Sequence, residues 1–131
     1  MRKSVRRFAH KGQCRNRKGR CVMSIKELRQ EIYAANVAKG FHATAPDEYK
    51  YLALLHTEVS EATEEVRKTD YVPNRTYYRA DGKPEGLPAE LADVFIRLLD
   101  TAESFGIDLE AAVREKMLYN AKRPYRHGKT A

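Results

Sequence analysis

The sequence predicts an all-α protein, a bundle of about four helices whose core helices run antiparallel. Three observations predict it. Apolar residues recur at spacings of three and four in four separate stretches, the period of a helix face. Each stretch opens on a capping residue or a proline and closes on a glycine, a loop or a proline. No segment alternates apolar and polar residues as a core strand does, and no internal repeat is visible.

Ser24-Ile25-Lys26-Glu27 has the form of a capping box, with serine at the N-cap and glutamate three residues on. Ile25, Leu28, Ile32 and Ala35 follow at helical spacing and Gly40 supplies a stop, so the first helix is expected over 25–39. Thr44-Ala45-Pro46-Asp47 is a second start signal, with proline in the first turn. Leu52, Leu55, Val59, Ala62 and Val66 continue it as an apolar stripe over 46–68. Residues 69–87 hold Pro73, Gly82, Pro84 and Gly86 and read as a loop with room for a short hairpin. Loops of more than about 15 residues in a small domain are often functional. Pro88 opens the third helix, whose broad apolar face is Leu91, Val94, Phe95, Leu98, Leu99 and Ala102, and Gly106 ends it. Asp108 caps a fourth helix carrying Leu109, Val113 and Met117, closed by Pro124.

A chain of 131 residues fits one domain. With 42% apolar residues it has enough material for a core. No apolar run reaches the roughly 18 residues of a membrane span. The start lacks the apolar stretch of a secretory signal, so a cytoplasmic location is expected. Two cysteines do not make a disulfide scaffold.

The net charge of +7 is unevenly placed. Residues 1–21 carry nine basic side chains and no acid, residues 22–115 a net of −7, and residues 116–131 five basic side chains and no acid. Residues 1–22 therefore read as a basic, disordered N-terminal extension ahead of a helical domain over 23–131, with Met23 a candidate functional start. Cys14, Cys21 and His10 lie in that extension, at spacings too irregular for a four-ligand zinc site.

The acids of the body are patterned. Glu58 and Glu61 are three apart on the second helix, and Glu90 and Asp93 three apart on the third. At about 100° per residue each pair shares a face, and both pairs lie on the same rotational side of their apolar stripe. Antiparallel packing, stripe to stripe, would bring both pairs out on one side. Converging carboxylates repel unless a counter-charge answers them, and all-oxygen ligands suit Mg²⁺, or Mn²⁺ in its place. Glu65, one turn beyond Glu61, reads as a supporting group behind the ligands or a surface acid, and Glu64 faces away. On the fourth helix Lys116, Asn120 and Arg123 share a face, a pattern that suits phosphate as well as a helix C-terminus.

These parts resemble the MazG-like all-α nucleoside triphosphate pyrophosphohydrolases. The stretch is Leu52 to Lys129, with Leu-His-Thr-Glu58-Val-Ser-Glu61, a spacer of 28 residues, Glu90-Leu-Ala-Asp93, and Lys116-Met-Leu-Tyr-Asn120-Ala-Lys122-Arg123-Pro124. The spacer is long for that family. The resemblance implies hydrolysis of an NTP or dNTP between the α- and β-phosphates, giving the monophosphate and pyrophosphate. It implies Mg²⁺ held by Glu58, Glu61, Glu90 and Asp93, with Glu61 a candidate general base. It implies a phosphate grip by Lys116, Asn120 and Arg123. It also implies a homodimer or homotetramer that completes the bundle, the basic half of a site coming from a neighbouring subunit. His56 is read first as structural and second as a base contact. Tyr71, Tyr77 and Tyr78 are read as cover for the bundle before base stacking.

A reading from a different class rests on the ends. The chain is then a helical nucleic-acid-binding module without catalysis, using the basic segment 1–22.

Overall fold

The computed structural model describes residues 23–124. The segment 1–22, with Cys14, Cys21 and His10, and the basic residues Arg126, His127 and Lys129 lie outside the described residues.

The Ser24–Glu27 capping box forms in full and starts α1 (Ile25–Ala38). The serine hydroxyl accepts from the Glu27 amide at 3.1 Å, and the Glu27 carboxylate accepts from the Ser24 amide at 2.8 Å. α2 (Glu48–Val66) begins two residues later than the proline suggests, because Asp47 takes the N-cap and accepts from the Lys50 amide. The following loop contains a two-stranded hairpin, β1 (Tyr77–Tyr78) antiparallel to β2 (Pro84–Glu85), with Tyr77 opposite Glu85. α3 (Leu87–Ser104) follows at once, with Pro88 in its first turn. α4 (Leu109–Ala121) is capped by Asp108, whose carboxylate accepts from the Ala111 amide. The chain is thus all-α among the described residues, with four helices and a minimal hairpin.

α3 is the helix on which both α1 and α2 pack. Its contacts give the directions. On α2, Glu58 meets Arg97 and Glu65 meets Glu90, so α2 and α3 run antiparallel, the direction in which the two acid pairs would emerge on one side. On α1, Arg29 pairs with Glu103 while Asn36 shares a cavity with Asp93 and Arg97, so α1 is also antiparallel to α3. α1 and α2 therefore run in one direction, and the linker between them travels back along α3. His42 pins that linker. Its Nε2 lies 2.9 Å from Oδ1 of Asp100, its Nδ1 lies 2.8 Å from the Tyr51 hydroxyl, and its ring stacks at 4.5 Å on Tyr33. Asp100 is almost wholly buried, so this network supplies the partner its carboxylate needs.

The buried apolar core is small. Among the described residues Leu99 is fully enclosed, and Ala62 and Ala102 are the other buried apolar residues. Leu52, Val59 and Val66 on α2 and Leu91 and Phe95 on α3 stay exposed. α4 is the extreme case. Every residue from 111 to 124 is exposed, including Val113, Met117, Leu118 and Tyr119. Its first turn meets α1 around Arg29, which bonds the Ile107 carbonyl and Glu103. Low intrinsic amphipathicity explains why the rest finds no seat in its own chain: Met117, Leu118 and Tyr119 are consecutive and point around the helix rather than along one stripe.

Gly86 sets the junction between hairpin and α3. It is buried, has φ 103° and serves as the N-cap, its carbonyl accepting from the Ala89 and Glu90 amides. A Cβ there would stand 2.4 Å from the Arg75 carbonyl oxygen. Both the dihedral and the space demand glycine. Gly86→Ala is expected to lower unfolding free energy by about 2 kcal/mol or more, read from urea melts. A change within experimental error would show that the junction is not held as described.

Candidate functional site

The four patterned acids lie where α2 and α3 face each other. Glu90 sits in the first turn of α3 and is 3% exposed. Glu58 and Asp93 line one cavity of about 110 Å³, closed by Asn36, Phe41, Ile96 and Arg97. Glu61 is exposed on α2, one turn further along. Burial pushes the Glu90 carboxyl above the usual carboxylate range, and the negative charges of Glu61, Asp93 and Glu85 push the same way against the opposing pull of Lys83. Glu61, Glu90 and Asp93 are thus close enough to feel one another, as the rotational argument expects.

Their side chains are not gathered into one cage. Glu58 is turned to Arg97, whose Nη2 donates to Oε1 at 2.8 Å and whose Nε donates to the same oxygen at 3.3 Å. Both contacts fall on Oε1, so Oε2 keeps its acceptor capacity. Among the described residues, the one set of three acids with oxygens within 4.8 Å of one another is Glu65, Glu85 and Glu90. Glu90 belongs to both arrangements.

Glu65 is 7% exposed, hence no surface acid. It bonds Lys68, and the Tyr77 hydroxyl lies 3.2 Å from both of its oxygens. The bonds to Glu65 and Tyr77 hold the Lys68 ammonium well above its ordinary range. Glu85, from β2, pairs with Lys83 at 3.2 Å, and this raises the lysine's pKa. Oε2 of Glu90 is buried and has no hydrogen-bond partner among the described residues.

The basic residues stand apart. Lys116, Asn120 and Arg123 are exposed on or just beyond α4, which packs along neither α2 nor α3. Lys116 Nζ lies 5.4 Å from the Tyr119 ring centre. A single chain does not bring these three to the acids. His56 is exposed, and its carbonyl accepts from the Ser60 hydroxyl. Tyr71 and Tyr77 line a recess beside Glu65, while Tyr78 is exposed.

Sequence reasoning passes over Arg97, Lys68, Lys83 and Glu85. Arg97 had a signal: it lies four residues after Asp93 and seven after Glu90, on the same helix face. Lys68 had one as well, three residues after Glu65 and just past the end of the same helix, whereas Lys83 and Glu85 had none, because a loop carries no periodicity that places its side chains against a helix. A second recess, lined by Thr76, Lys83, Pro84, Pro88, Ala89, Ala92, Asp93 and Ile96, shares Asp93 and Ile96 with the first.

Comparisons with protein-family models, with curated proteins and with solved structures find no match to this chain. None of the described helices is long and apolar enough to cross a membrane.

The Glu90 environment fixes a pH dependence. A carboxyl whose pKa is raised by folding stabilises the fold fully below its unfolded pKa, and that contribution is lost as pH rises through the folded value. Glu90→Gln is neutral at every pH. In metal-free buffer it is expected to exceed the wild type in thermal stability at pH 8, with the gain shrinking as pH falls toward 4. A variant less stable than wild type at pH 8 would contradict the uncompensated burial of Glu90.

Proposed function

We propose that this protein is a Mg²⁺-dependent nucleoside triphosphate pyrophosphohydrolase, converting an NTP or dNTP and water to the nucleoside monophosphate and pyrophosphate. One observation carries the reading: Glu90 is buried in the combined field of Glu61 and Asp93, at the α2–α3 face where Asp93 and Glu58 also share a cavity. Carboxylates of this density call for a counter-charge, and their oxygens suit a hard divalent ion. The order of the acid pairs and of Lys116, Asn120 and Arg123, which resembles the MazG-like family, supports the same reading.

Glu58, Glu61, Glu90 and Asp93 would hold Mg²⁺, with Mn²⁺ as a substitute. The ion supplies charge neutralisation for the phosphates and activation of water. Glu61, the exposed member of the set, would act as the general base that accepts a proton from the attacking water. The bond from the α-phosphorus to the bridging oxygen breaks, and the electron pair leaves with pyrophosphate. Arg97 is a positioning residue: by taking Oε1 of Glu58 it fixes that carboxylate beside Asp93.

Lys116, Asn120 and Arg123 grip the triphosphate from a second copy of the chain. The exposure of α4, together with the uncovered apolar residues of α2 and α3, favours a homodimer or homotetramer in which α4 is seated on a partner. Substrate and oligomer are then linked: the acids come from one copy and the cations from the other.

The direct assay is pyrophosphate release from a panel of NTPs and dNTPs with and without Mg²⁺. Glu58→Gln and Asp93→Asn are each expected to lower kcat by about 100-fold or more with helix content unchanged. Full activity in both variants, or no turnover of any nucleotide by the wild type, removes the proposal. The arrangement across copies has its own test. Asp93→Asn and Arg123→Ala, each impaired alone, are expected to recover part of the activity when refolded together, because mixed oligomers contain one intact site. Strict additivity of the two residual rates would place α4 on the acids of its own chain.

A further inference from the structure

The hairpin brings a third acid to Glu90 that has no part in the proposed reaction. Glu65 comes from the last turns of α2, Glu85 from β2, and Glu90 from the first turn of α3. One oxygen of each lies within 4.8 Å of the other two. Glu65 has Lys68 and Tyr77 as partners, and Glu85 has Lys83 at 3.2 Å and Arg79 at 3.8 Å. For Glu90 the opposing pull comes from Lys83, whose ammonium is paired with Glu85. Oε2 of Glu90 is buried and without a hydrogen bond, in a residue only 3% exposed. A buried carboxylate next to two others is costly unless it is protonated or a cation reaches it.

We propose that Glu65, Glu85 and Glu90 form a divalent-cation site that staples the Tyr77–Glu85 hairpin to the facing ends of α2 and α3. The site shares Glu90 with the acids assigned to the reaction and adds two ligands, Glu65 and Glu85, that the reaction does not use. An all-carboxylate set at this spacing takes a hard ion of the Mg²⁺ or Mn²⁺ class, with water completing the shell. Lys68 and Lys83 do not obstruct it. Their side chains are 44% and 46% exposed, so each ammonium has open solvent to turn to when an ion takes its place beside the carboxylate. Tyr77 remains beside Glu65 as a hydroxyl donor that orients the carboxylate. The three acids join elements separated by the long spacer, so occupancy would hold the hairpin, and with it Lys83, against the recess that Asp93 lines.

The test counts bound Mn²⁺ by electron paramagnetic resonance on the full chain, comparing wild type, Glu85→Gln and Asp93→Asn. Glu85→Gln is expected to lose one ion per chain that Asp93→Asn retains. An unchanged count in Glu85→Gln overturns the site, as does loss of the same single ion in both variants. A second measurement covers a Glu85 variant that fails to fold. The chain has no tryptophan, so Tb³⁺ emission excited through its aromatic residues reports nearby tyrosine. Tyr77→Phe keeps all three carboxylates and is expected to dim that emission while leaving the Mn²⁺ count intact. Undiminished emission places the ion elsewhere. A protein that releases no pyrophosphate yet loses one Mn²⁺ with Glu85→Gln keeps this site and removes only the reaction.

Discussion

A buried carboxyl with an unanswered oxygen governs this structure. Glu90 is enclosed at the start of α3, between Glu65 on α2 and Glu85 on the hairpin, and within the field of Glu61 and Asp93. The helix N-terminus helps it, since the first-turn amides favour negative charge. That contribution is modest against the cost of removing a carboxylate from water. The surrounding elements arrange themselves around the problem. Gly86 adopts a backbone that other residues resist, which lets the hairpin run straight into the helix and sets Glu90 in its first turn. Lys68, Lys83 and Arg79 pair with Glu65 and Glu85, and Lys83 also draws on Glu90, whose carboxyl pKa is nonetheless raised by burial.

The rest of the molecule follows from α3 as the shared packing surface. α1 and α2 both lie antiparallel to it, and the returning linker is secured through His42, Tyr51 and Asp100. This leaves the acids on one side of the α2–α3 contact and a modest apolar core around Leu99. The outer apolar residues of α2 and α3, and nearly all of α4, face solvent in one chain. In the proposed enzyme these two features are complementary, because the helix that carries the phosphate-binding residues is also the helix without a seat.

Much of the fold was legible in the sequence because helices announce themselves locally. The Ser24–Glu27 box, Asp108 and Pro88 mark starts that the structure keeps, since caps act within one turn and need no tertiary context. Pro46 was less informative than Asp47, because a side-chain oxygen at the N-cap outranks a favourable φ. The antiparallel meeting of α2 and α3 was expected from their being consecutive helices, and the matched offset of acids and apolar stripes then put both acid pairs on one side. The conformation of the site was not legible. The turn of Glu58 toward Arg97, the burial of Glu65 and the arrival of Glu85 all depend on contacts across long sequence distances. Periodicity carries no information about those contacts. The seat of α4 was not legible either: Leu109, Val113 and Met117 have helical spacing, but spacing does not say whether a matching surface exists in the same chain.

The central claim is that the charge on Glu90 is answered by a bound divalent cation. Anomalous diffraction from a crystal grown with Mn²⁺, collected at the manganese edge, measures this directly. An anomalous peak is expected at coordination distance from a Glu90 carboxylate oxygen, with at least one further ligand from Glu58, Glu61, Asp93, Glu65 or Glu85. A map with no peak at Glu90 at saturating Mn²⁺, and with its Oε2 bonded to a neighbouring carboxylate through a shared proton, would contradict it.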